Sequence, residues 1–199
     1  DIVICSDADE IYRADTMGQM RQLPEITSFD LRMPQFMYKF NNWHYNWHTA
    51  DNIQVSWHCP CLATRYSNLG GIEEQRKLRI EKPQQPNTAV VWHAGWHFTF
   101  VGDDDFVKHK IENFDYTWLA KFKDTDFNVE TDVQNGQYMG TKEKNGHFAL
   151  VQINEYMPRE LQSNPYYWGK FMIQQPGPFY RIQTIFNSII PQPEARCVD

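Results

Sequence analysis

Asp1-Ile2-Val3-Ile4-Cys5-Ser6-Asp7-Ala8-Asp9-Glu10-Ile11 opens the chain, and the reading of the fold turns on it. Ile2 to Cys5 are all apolar and three of the four are β-branched, which predicts a short strand. A strand without polar alternation reads as buried on both faces, the pattern of a central parallel strand in an α/β sheet. The run stops at Ser6, and the turn after it carries Asp7 and Asp9 one residue apart. Ligands of open α/β sheets bind at the carboxyl ends of strands. Two carboxylates there can turn toward one hard divalent cation, and such a cation can clamp a diphosphate. The competing reading is an ordinary acidic surface turn. A chain that enters in mid-strand is also expected to continue upstream.

Working outward, the 199 residues are 41% hydrophobic and 22% charged, which describes a globular chain with a core and excludes a disordered one. The net charge of −6 argues against a nucleic-acid partner, since such proteins carry a basic face. No apolar run is long enough to span a membrane, no signal peptide is visible, and no Asn-x-Ser/Thr sequon occurs. The missing sequon favours a compartment without N-glycosylation and does not exclude a secretory one. The cysteines, Cys5, Cys59, Cys61 and Cys197, are too scattered for a four-thiolate zinc site. Aromatics reach 15%, which suits either a sugar-binding cleft or an aromatic core.

Residues 14–22 read as a helix ended by Pro24, 29–40 as extended, and 89–101 as strand interrupted at Gly95. Asp103-Asp104-Asp105 predicts a helix start, with Phe106, Lys110, Phe114 and Trp118 marking its face. Residues 127–145 read as polar and turn-rich, 148–153 as strand, and 158–171 as containing a short helix before Asn164-Pro165. The prolines of 176–199 suggest a tail on the surface.

A second chemical signal is His93-Ala94-Gly95-Trp96-His97-Phe98. Gly in a strand marks a close approach of backbone or ligand, and imidazole is a usable metal ligand. The plain alternative is an aromatic strand whose histidines satisfy hydrogen bonds. One of Asp103, Asp104 and Asp105 could act as a general base; the plain alternative is a helix cap with first-turn carboxylates. Trp43, His44, Trp47, His48, Trp57 and His58 fit no ligand spacing and read as a structural aromatic hairpin.

Together these residues resemble glycosyltransferase family 17. The opening segment looks like that family's strand and Asp-x-Asp-Glu-Ile turn, residues 93–98 like its Gly-Trp-His segment, and Pro158 through Asn164-Pro165 like its late Pro…Leu…Asn stretch. Tyr12, where members commonly have Pro, departs from the pattern, and Asn113 to Trp118 lack a His and a Glu found in bacterial members. The resemblance implies an α/β GT-A-like fold with a mostly parallel central sheet. Its N-terminal βα units would be missing here, with the catalytic domain over residues 1–175 and the tail over 176–199. It implies inverting, Mn2+- or Mg2+-dependent transfer of a sugar from a UDP donor, N-acetylglucosamine in the best-known members, to a glycan or glycoprotein hydroxyl. Asp7 and Asp9 would bind the metal and diphosphate, with His97 assisting. Trp96, His93 and Glu10 would contact substrate, and Asp105 would be the base. The alternative is a non-catalytic carbohydrate-binding or assembly protein that keeps the fold.

Overall fold

The structure is a computed structural model that describes residues 1–44, 61–71, 73–74, 87–113, 122, 128–137, 139, 148–153, 157–174, 181–183 and 195–197. Along the chain run β1 (Ile2–Cys5), β2 (Glu10–Tyr12), α1 (Thr16–Arg21), β3 (Ser28–Leu31), β4 (Gln35–Met37), β5 (Asn42–His44), β6 (Cys61–Arg65), β7 (Thr88–Val91) and β8 (Gly95–Thr99). After them come α2 (Asp104–Asn113), α3 (Val129–Asn135), β9 (Phe148–Val151), α4 (Arg159–Ser163), α5 (Pro165–Trp168), β10 (Arg181–Gln183) and β11 (Ala195–Cys197). The described chain divides into two compact units, each made of separate stretches of sequence. One is Asp1–Pro34, Thr49–His97 and Asn187–Asp199; the other is Gln35–His48 and Phe98–Phe186.

The first unit is built on a five-stranded sheet in the order β1-β6-β3-β7-β11. Only β3 and β7 pair in parallel; β1–β6, β6–β3 and β7–β11 are antiparallel. β1 is therefore not the central, parallel, fully buried strand expected: among the described residues it is antiparallel and at the end of the sheet, and all four of its residues are half-buried. The reason is physical. Ile2 and Ile4 point to one face and pack on the core, while Val3 and Cys5 point the other way. Four apolar residues cannot signal by themselves whether one face or both are covered. The core pairs large residues with small ones across strands: Phe29 lies opposite Ala63 and Ala89, and Leu31 opposite Val91. Arg65 donates to the carbonyls of Ile26 and Leu23, at 2.7 Å each, which holds the loop between α1 and β3.

The second unit carries β10-β9-β5-β4, with β9–β10 parallel and the other two pairs antiparallel. The sheets are thus mixed and more antiparallel than parallel among the described residues. Two segments of the Pro-rich 176–199 stretch are strands, β10 in this unit and β11 in the first. The α2 helix starts where expected but buries Val107 and Ile111, an i,i+4 pair, and leaves Phe106 49% exposed. The helical period runs through Val107 and Ile111 and not through Phe106 and Lys110; Phe114 and Trp118 lie outside the described residues. Within the stretch expected to be turn-rich, Val129–Asn135 form the helix α3, whose signals are in the sequence. Asn128 caps it by accepting from Thr131 N–H at 2.9 Å, Val129 and Val133 form its apolar stripe, and Gly136 ends it at φ 63°. Among the described residues no helix is long and apolar enough to cross a membrane.

Tyr38, buried and at φ 66°, ties this unit together. Its hydroxyl donates to Asp132 Oδ2 at 3.2 Å and accepts the Met139 N–H at 2.7 Å. Tyr38→Phe removes both partners' contact at once and is expected to cost about 1–3 kcal/mol in urea unfolding, because buried polar groups lose a bond that water does not replace.

Candidate functional site

Asp7, Ala8 and Asp9 form the turn between β1 and β2. The turn is closed from within. Glu10 N–H donates to the Asp7 carbonyl at 3.2 Å, and Asp7 N–H donates to Glu10 Oε2 at 2.8 Å. Glu10 is 7% exposed, so its carboxylate is turned inward onto this backbone.

The two motifs meet in the antiparallel pair β2–β8, where Glu10 lies opposite His97, Ile11 opposite Trp96, and Tyr12 opposite Gly95. Gly95 is required by this contact. A Cβ there would sit 2.9 Å from the Ile11 carbonyl carbon and from Tyr12 Cα, and closer still to the Ile11 oxygen. Further bonds fix the pairing: Arg13 N–H and the Thr16 hydroxyl donate to the Ala94 carbonyl at 2.9 and 2.7 Å, and His97 N–H donates to Pro34 O at 3.0 Å. The result is a short approach between residues far apart in sequence, His97 Nε2 to Asp9 Oδ1 at 3.5 Å, both side chains partly shielded.

Two donor atoms bound to one cation through bonds of ~2.1 Å at right or tetrahedral angles stand ~3.0–3.4 Å apart, so the Asp9–His97 spacing is close to that of co-ligands. Among the described residues no group of three His, Cys, Asp or Glu is placed to hold a metal. This donor set does not suit a cation held by protein alone. A cation held here would need further ligands, such as the phosphates and waters that Mg2+-type sites use.

The other predicted residues fall elsewhere. Trp96 is 7% exposed. Strand alternation sends its side chain to the face opposite His97. His93, in the turn between β7 and β8, is 7% exposed and at φ 58°, with Arg13 and Asp15 as its charged neighbours. That setting does not offer it to a substrate. Asp105 lies in the second unit, exposed in the first turn of α2, on a cleft of about 530 Å3 lined also by Lys39, Glu130, Lys170 and Phe171. Asp103 Oδ1 accepts the Phe106 N–H at 3.0 Å, as a helix cap does. Asp104 is committed to the start of α3, accepting from Val129 N–H at 2.7 Å and Asn128 Nδ2 at 2.6 Å. Trp43, 1% exposed in β5, is structural as read, while Trp47, His48, Trp57 and His58 lie outside the described residues.

Burial, with Arg13 adding to it and Asp15 opposing, lowers the His93 pKa to about 3 from 6.5. The folded state therefore holds His93 neutral. Its contribution is complete above pH 6.5 and falls as the pH drops toward 3, by ~1.4 kcal/mol per unit. Urea titrations at pH 7 and pH 5 should show His93→Asn, which tolerates the left-handed backbone, losing about 2 kcal/mol less than the wild type over that interval.

The chain matches no protein-family model, no curated protein and no solved structure.

Proposed function

We propose that Asp9 and His97, beside Asp7 on the same turn, form the cation-holding end of an inverting glycosyltransferase. It would move a sugar, most simply N-acetylglucosamine from its UDP donor, to a glycan hydroxyl. The observation that carries this reading is the 3.5 Å approach of His97 to Asp9, made by pairing the two segments on which the family resemblance rests. Bound Mn2+ or Mg2+ would supply charge neutralisation for the donor diphosphate as it leaves. Asp9 would bring a carboxylate oxygen and His97 an imidazole nitrogen, with Asp7 on the same turn contacting the donor. The test is Mn2+ titration of the chain with and without UDP, followed by turnover of UDP-N-acetylglucosamine in Mn2+ and in chelator. Tighter Mn2+ binding with UDP, and turnover lost in chelator, are expected. Turnover that persists in chelator sinks the reading.

One observation favours a second reading, a carbohydrate-binding protein without transfer. β1 lies at the end of its sheet and pairs antiparallel, unlike the central parallel strand that precedes a ligand-binding turn in nucleotide-binding sheets. Glycan binding without turnover in Mn2+ would select it.

A further inference from the structure

We infer that Glu10 is a positioning residue that sets the Asp7–Asp9 turn, and that it acts through the Asp7 backbone instead of touching cation or sugar. The inference rests on the metal reading of that turn. Three observations carry it. Glu10 is a charged side chain nine-tenths buried, which requires a bonded partner to be tolerated. Its Oε2 accepts the Asp7 N–H at 2.8 Å, while its own N–H reaches the Asp7 carbonyl at 3.2 Å, so the two ends of the turn are locked reciprocally. Its place in β2 opposite His97 then fixes that lock relative to β8. The chain of cause is short: β2–β8 pairing places Glu10, Glu10 places the Asp7 backbone, and the turn between them places the Asp9 carboxylate against His97. A cation ligand would have to turn its oxygens outward. This one is aimed at an amide.

The distinction is testable because an amide hydrogen bond needs an acceptor oxygen but no charge. Glu10→Gln keeps an oxygen that can accept the Asp7 N–H, and Glu10→Leu keeps the bulk without it. Two readouts are taken on the 199-residue chain: Mn2+ affinity with UDP present, and hydrogen exchange of the Asp7 amide. For Glu10→Gln, affinity is expected to stay near wild type and the Asp7 amide to stay protected. For Glu10→Leu, affinity should fall about 10–100-fold, as when an outer partner of a metal ligand is removed, and the amide should exchange faster. Equal loss of affinity in both variants would make Glu10 a ligand and overturn the inference, as would an Asp7 amide still protected in Glu10→Leu. Should the wild type bind no Mn2+, the metal reading fails, and amide exchange alone still decides whether Glu10 holds the turn.

Discussion

Asp9→Asn is expected to weaken Mn2+ binding in the presence of UDP by at least about 10–100-fold, and to remove metal-dependent turnover of the UDP-sugar. The amide keeps an oxygen but loses the charge that makes a carboxylate attractive to a hard cation. Stability should hardly change. Asp9 sits in a turn with its side chain partly exposed, where a polar contact contributes under about 1 kcal/mol. Calorimetric titration for affinity and thermal melts for stability measure the two independently. Equal Mn2+ affinity in both proteins would remove the metal from the proposal, and a collapse of the melting temperature would show that Asp9 is structural.

Gly95→Ala should produce the opposite pattern, a loss of both stability and metal binding. Its new methyl group would run into the Ile11 and Tyr12 backbone, which cannot rotate away as a side chain tip could. Either β2 shifts off β8 or both strands deform, at a cost of about 2–3 kcal/mol by analogy with overpacked cores. Because β2 carries Glu10 opposite His97, the same shift separates Asp9 from His97. Gly18→Ala is the matched control. Gly18 lies in α1 with nothing near its missing Cβ, so Ala there is expected to stabilise by about 0.5–1 kcal/mol. Urea unfolding of the two variants gives the comparison; a Gly95→Ala protein as stable as the wild type would mean that the two strands are not in close contact.

Local chemistry was legible in the sequence, and tertiary placement was not. The strand before Asp7 and the helix after Asp103 are written in β-branched residues and in capping carboxylates, and both are found within a residue or two of where they were read. The neighbourhood of Asp9 and His97 came from the family resemblance, because nothing in residues 7–9 alone names a partner at 97. What failed depends on faces. Ile2 to Cys5 carry no alternation, so their position in the sheet could not be read. The break in residues 89–101 was placed at Gly95, the residue without a side chain. The chain in fact turns at Trp92 and His93, where His93 takes the left-handed conformation, and Gly95 begins the next strand. Trp96 was singled out for its ring, although its position next to His97 in a strand already sends it to the other face. Asn128, Val129, Val133 and Gly136 spelled out α3, but polar neighbours obscured them.

The pairing of β7 with β11 has a kinetic side. Val91 meets Ala195, over a hundred residues later in sequence, and β1 meets β6 across about sixty. Such distant pairings close large loops before they gain any contact, which slows folding. Until Ala195–Cys197 arrives, the Thr88–Val91 strand has one side unpaired, and its Ala-Val-Val sequence is the kind of edge that recruits another chain. Yield on refolding should therefore fall steeply with protein concentration, because the intermediate that waits for its last strand is the species able to aggregate.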